Sequence, residues 1–237
     1  MDRFETARAT WPASEGAAAE RVTAFLRIVY GWMFAGLGVT AAVAWIVAGS
    51  PTLIRAIASN RLLFWIIAGA QLGMVFYLSA RVSRLAPNTA ALLFLAYSAL
   101  TGVTMAFVLL IYTGASVALT FVVCAGMFGS IAVYGTVTKR SLAGVGHFMF
   151  MGLIGLVLAS IVGIFWQNDG LQFVISFIGV IVFTGLAAWD AQRLKQMALS
   201  LPDGQIGSYA IVGALSLYLD FINVFLSLLR FTGSRRD

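Results

Sequence analysis

Seven times between Phe25 and Leu229 the chain runs for roughly twenty residues with almost no charge, about what a helix needs to cross the hydrocarbon of a bilayer. The runs are Phe25 to Ala48, Leu62 to Ala80, Thr89 to Tyr112, Val117 to Val137, Val145 to Phe165, Leu171 to Trp189 and Tyr209 to Leu229. They predict an all-α membrane protein with seven transmembrane helices. A composition of 61% hydrophobic and 10% charged residues over 237 positions leaves no large soluble domain to house separate chemistry. Turn chemistry stands between the runs at Gly49-Ser50-Pro51, Ala86-Pro87-Asn88, Gln167-Asn168-Asp169-Gly170 and Leu201-Pro202-Asp203-Gly204.

Residues 1–24 carry Asp2, Glu5, Glu15 and Glu20 among arginines and lack the short apolar core of a secretory signal, so they read as an N-terminal cytoplasmic tail. The seven-helix domain then covers 25–232, and 233–237 form a short basic C-terminal tail. In a seven-span chain ten of the fifteen basic residues fall on the N-terminal side, against Arg55, Arg61, Arg230, Arg235 and Arg236 on the other. This excess puts the N-terminus in the cytoplasm. The basic C-terminal tail argues against it, and a last helix that re-enters would bring that tail back. The net charge of +6 is spread over helix ends and tails, which suits membrane-edge anchoring better than nucleic acid.

Chemistry concentrates in the last run. Gly213, Ser216, Asp220, Asn223 and Ser227 recur at spacings of three and four, so one helix face is small and polar and should look into the protein. A charge at mid-bilayer is unfavourable by about 2.5–3.5 kcal/mol on insertion scales, so Asp220 needs a function or a partner. Asp190, which ends the sixth run in FTGLAAWDAQRLK, is the other carboxylate within or at the edge of an apolar run. It reads either as an interfacial acid paired with Arg193 at i+3 or as the mate of Asp220. Two carboxylates meeting in a low-dielectric site do not both ionise readily; they share one proton and titrate as a pair. Such a pair is a pH sensor, and Arg81 or Arg84 could latch its closed form or simply anchor the helix end. Asp190, Asp220, the Asn223 amide oxygen and the Ser216 hydroxyl are hard oxygen ligands that suit weak, transient calcium, too few for a tight cage. Depth strains the pairing: Asp190 stands near the cytoplasmic surface, while Asp220 lies on the order of 20 Å along its helix. They meet only if the segment before Ile211 stands partly outside the bilayer, or if the sixth helix is sunk or kinked.

Other residues exclude function classes. His147 is the single histidine, so a multi-histidine metal site is ruled out and an enzyme is not expected. Both lysines, Lys139 and Lys195, lie at loop edges, which removes the in-helix lysine a retinal protein needs. Cys124 is alone and cannot form an intrachain disulfide. Glycines inside the runs, among them Gly31, Gly36, Gly38, Gly126, Gly129, Gly152, Gly155, Gly179 and Gly185, predict close helix packing.

The strings LSLYLDFINVFLSLLRF (215–231), FTGLAAWDAQRLK (183–195) and GTVTKRSLAGVGHFMFMGLIGLVLASIVG (135–163), with YSALTGVT (97–104) and the opening MDRFETA, resemble the Bax inhibitor-1 (transmembrane Bax inhibitor motif) family, in its bacterial inner-membrane branch. The resemblance covers essentially all seven spans. It implies six helices around a central seventh, and gives Asp190 and Asp220 the role of the family's di-aspartyl sensor, with Arg81 as latch. It also implies a pH-sensitive calcium leak, closed at low pH and open once the shared proton is lost, with no cofactor beyond transient calcium. Some bacterial members are associated instead with a membrane-bound protease that degrades misassembled membrane proteins. A non-conducting regulator of that machinery is therefore the competing expectation. Intramembrane aspartyl proteolysis also uses two aspartates, but these strings set them in a different context.

Overall fold

In hydrocarbon a backbone N–H or C=O has no water to bond, so each apolar run closes its hydrogen bonds on itself as a helix. The computed structural model describes residues 3–166, 168–202 and 205–236, with side chains from Gly16 onward except Phe64 and Ile164. Its helices are α1 (Arg3–Ala48), α2 (Pro51–Ser59), α3 (Arg61–Arg81), α4 (Pro87–Ile111), α5 (Gly114–Val137), α6 (Ala143–Phe165), α7 (Asp169–Ser200) and α8 (Ile206–Thr232). Seven of them, all but α2, are long and apolar enough to span a membrane, as the sequence predicts. The backbone of α1 runs unbroken across residue 24.

The expected turns supply helix starts. Side chains of Asn60, Thr113 and Asn168 accept from the N–H of Leu63, Ser116 and Leu171, and Pro51 and Pro87 open their helices where a missing N–H costs nothing. Gln167, Asp203 and Gly204 of the predicted turns lie outside the described residues. Two elements differ from the sequence expectation. The first connection contains α2, a short helix with no buried residue, whose Leu53, Ile54 and Ile57 share a face suited to the membrane surface. And α7 does not stop at Trp189 but continues to Ser200, because Gln192, Arg193 and Lys195 end an apolar run without ending a helix.

The last helix is central. Of its membrane-spanning window 61% is buried, against 39% for α7 and 6% for α3. It packs on α1, α4, α5 and α7, with a lighter contact to α3, whereas α6 packs on α7 and leaves a gap to α8. Large apolar side chains such as Phe76, Leu119 and Phe148 point outward into the space that lipid would fill. The glycines divide accordingly. A methyl on Gly36 or Gly179 would collide with a neighbouring helix, and Gly152 and Gly185 are nearly as tight. By contrast Gly31, Gly38, Gly126, Gly129 and Gly155 face open space, because lipid and protein are equally apolar and the residue type does not report which one a helix face meets.

At the middle of α8 the fully buried Tyr218 hydroxyl lies 2.6 Å from Thr40 Oγ1, which donates to the Ser98 carbonyl at 2.9 Å. Phe94 and Tyr97 meet its ring edge-on, so one side chain ties α1, α4 and α8. Tyr218→Phe leaves Thr40 its bond to Ser98, while Thr40→Val removes the partner at 2.6 Å from a tyrosine hydroxyl that keeps only the Ser98 and Thr101 side chains within reach. Thermal melts in detergent are expected to show Thr40→Val costing about twice as much as Tyr218→Phe, the latter about 0.5–1 kcal/mol. Equal losses would mean that Tyr218 finds another partner.

The ends of the bundle are tied as well. Arg21 donates to the carbonyls of Ala198 (2.8 Å) and Leu201, capping the C-terminus of α7, and Ser208 donates to Leu85 O at 2.6 Å. At the opposite end Thr113 N–H donates to Ser234 O and Arg236 N–H to Ile111 O, so the C-terminal tail pairs with the α4–α5 connection. Helix α8 crosses the bundle without a break, and the tail therefore lies at the end opposite the start of α1. A re-entrant last helix is not what forms.

Candidate functional site

The site is built where α7 and α8 cross antiparallel. A methyl on Gly179 would lie 2.6 Å from Ser227 Oγ, and one on Gly213 would strike Leu194, which fixes the register of the two helices. That register sets Asp190 across from Ser216 and brings Asp220 to the level of Leu186 and Ala187, one turn away from Asp190. The Ser216 hydroxyl faces the Asp190 carboxylate, and the Asp190 and Asp220 carboxyls lie within direct electrostatic reach of each other. The acids thus come within electrostatic reach of each other, and helix length bears on the depth objection. Helix α7 carries ten further residues past Asp190 and α8 begins fourteen before Asp220, so both helices extend several turns past the acids toward the end of the bundle where α7 passes into α8.

The two acids are not equivalent. Asp220 is 7% exposed, and its Oδ2 finds no hydrogen-bond partner among the described residues. Such an orphan in an apolar interior calls for an explanation. Asp190 retains 13% exposure of its side chain, and Arg193 Nη1 stands 4.0 Å from its Oδ1, the guanidinium resting 5.6 Å from the Trp189 ring centre. Asp190 thus pairs with Arg193 at i+3 and also lies within electrostatic reach of the acid of α8.

Arg81 ends α3 exposed, and among the described residues it makes no ion pair with either acid. The nearby Leu85 carbonyl joins Ser208, twelve residues before Asp220 along α8, about 18 Å of helix. The cation at the pair is Arg193, which the sequence offered only as a local partner. Of the two predicted path residues, Ser216 lies at Asp190, and Asn223 lies one turn beyond Asp220. Asn223 donates its amide to Leu219 O at 2.8 Å and opens its other side to a cavity of about 400 Å³ between α6, α7 and α8. Thr184 Oγ1 on α7 is, with Asp220 Oδ2, a buried polar side-chain atom left without a partner.

Sequence reasoning missed the brace behind Asp190. Gln192, 7% exposed, accepts from Leu142 N–H at 2.7 Å and donates to Arg140 O at 2.9 Å, and Lys195 Nζ donates to Thr136 O at 2.7 Å. Successive polar residues after Asp190 thus turn to α5 and its following loop, while Asp190 turns to α8. The spacing of Gln192 and Lys195, three apart on a face away from Asp190, was the available signal.

A family model described as Inhibitor of apoptosis-promoting Bax1 matches residues 22–237. The chain is 44% identical to the inner membrane protein YbhL of Escherichia coli K12 over 100% of both chains. It is 42% identical to an uncharacterized protein of Borreliella burgdorferi over 90% of this chain and 93% of that one, and 43% identical to one of Deinococcus radiodurans over 91% and 93%. Matches of that length and identity establish descent as well as likeness: the chain belongs to the Bax inhibitor family.

Proposed function

We propose that the protein is a proton-regulated cation leak, with calcium as its cargo, in a bacterial inner membrane and with its N-terminus in the cytoplasm. The observation that carries the reading is Asp220 Oδ2, a carboxyl oxygen with no donor, at mid-bundle beside a second acid. A lone buried charge there would be costly, and a proton held between the two carboxyls removes that cost. Loss of the proton leaves two like charges across the α7–α8 interface, which favours separation of the helices or entry of a cation. Asp190, Asp220, Ser216 and Asn223 offer oxygen to such an ion, a set that holds calcium weakly enough to let it leave. Arg193, already beside Asp190, is the cation that steadies the closed form. The inner-membrane assignment rests on YbhL.

The competing reading, a non-conducting regulator of a membrane-bound protease, draws support from α3, which packs mainly on α4, has 6% of its spanning window buried and presents Leu62, Leu72 and Phe76 outward. Purified protein in vesicles loaded with a calcium indicator separates the two. Uptake is expected in alkaline buffer and should fall in acid. If no ion moves at any pH while a membrane-bound protease co-purifies, the leak is wrong and the regulator stands.

A further inference from the structure

Helices α6 and α8 both lie against α7 but do not close on one another. The gap between them, about 400 Å³, has Gly179 and Phe183 of α7 for its floor and Ser160, Asn223 and Ser227 on its walls. Toward the end of the bundle that holds the C-terminal tail it shares Ser160, Ser176 and Arg230 with a wider space of about 960 Å³, bounded there by Asp169, Gln172 and Arg235. A route thus leads from that end into the middle of the bundle.

Leu153, Leu156, Val157 and Ile161 make much of its lining apolar, but a group of polar side chains among them is wrong for hydrocarbon. Ser227 is 9% exposed, and its hydroxyl makes no hydrogen bond among the described residues. It aims at Gly179, where a methyl would lie 2.6 Å from Oγ. Ser160 is likewise without a hydrogen-bond partner among the described residues, and Asn223, whose amide N–H donates to Leu219 O, also lines the gap. A lipid tail would satisfy none of these groups, and water satisfies all of them at once. Phe183, which lines the gap, is set by the α7–α8 register opposite Asn223. One turn beyond stands Asp220 with its unpartnered oxygen, and next to Phe183 in sequence stands Thr184 with its unpartnered hydroxyl.

We infer that the gap between α6 and α8 is a water-filled inlet, open at the Asp169 and Arg235 end of the bundle and stopped by Phe183 one turn short of Asp220. Its ligands are water and what water carries, a proton or a small hydrated cation. From the other end it is Asp190, beside the exposed Arg193, that comes near the surface, so the two acids stand between two aqueous approaches. The bearing of the inlet on the acid pair rests on the function proposed above; its wetness does not.

The test is thiol accessibility. Single cysteines replace Ser227, Ser160, Ser234 at the tail end, Ser141 at the opposite end and the lipid-facing Leu119, with Cys124→Ala as background. The full chain is reconstituted in sealed vesicles of one orientation and exposed to a charged, membrane-impermeant thiol reagent. Ser227→Cys and Ser160→Cys are expected to react within about tenfold of the rate at Ser234→Cys, and from the same side, while Leu119→Cys stays at least about a hundredfold slower. Rates at both inlet positions as slow as at Leu119→Cys would mean a lipid-filled gap and overturn the inference. Labelling from the Ser141 side would overturn it too. If Ser227→Cys does not fold, Ser160→Cys decides alone. The readout is water and not ion flow, so it stands or falls independently of any leak.

Discussion

Asp220→Asn is expected to abolish the acid dependence of calcium uptake, reducing the ratio of alkaline to acid flux by at least about tenfold. The amide keeps the shape of the side chain but cannot release a proton, and its N–H can donate to the Asp190 carboxylate one turn away. In alkaline buffer, where the pair has lost its shared proton, the same variant should also melt higher, because a like charge in the core gives way to an amide that donates across the interface, a gain of about 1–3 kcal/mol. Asp190→Asn should mimic the loss of acid response if the acids act as a pair. Arg193→Gln should not, since a half-exposed ion pair at 4.0 Å contributes about 0–1 kcal/mol and leaves both carboxyls in place. Flux measurements on the three proteins decide the matter. An Asp220→Asn protein that still closes in acid would leave the α8 carboxyl a structural group and remove the basis of the sensor.

A second large effect is expected at Gly135. A methyl there would land on the carbonyl oxygen of Ala188, and within 3.0 Å of the Ala191 Cβ, on the stretch of α7 that carries Asp190. Backbone cannot give way as a flexible side chain does, so Gly135→Ala should push α5 from α7 at a cost of about 3 kcal/mol or more. Gly129→Ala, on the same helix with nothing within 4 Å, should be neutral. Thermal melts of the pair in detergent test the contrast. Equal stability would mean that α5 and α7 are not in this contact.

The contrast also explains how far the sequence could be read. Length and hydropathy give the seven spans because bilayer thickness sets both, and the polar stripe on α8 gives the site because a spacing of three and four has one interpretation on a helix. The same patterns are silent about which apolar face meets lipid, which is why Gly126 and Gly129 look like Gly135 until their neighbours are known. Hydropathy ended α7 too early because it measures affinity for lipid, while the helix continues on hydrogen bonds made by Gln192, Lys195 and Arg21 at the water boundary. Helix α2 went unseen because nine residues with a half-apolar face are shorter than any window that detects a span. Arg81 was chosen as the cation by its place at the end of a run. The geometry favours Arg193 because a residue three positions from an acid on one helix starts beside it, whereas one on α3 has to be brought there by the fold.

The strap formed by the C-terminal tail sets the mechanics of any opening. Helices α4 and α5 meet chiefly through their connection, and Ser234 and Arg236 stitch that connection to the last turn of α8. A bundle buttoned at one rim can spread only at the other, so movement between α4 and α5 has its pivot at the tail and its longest throw where α5 runs into α6. A tag fused after Asp237, or a truncation before Ser234, would shift that pivot without altering a single residue along the helices.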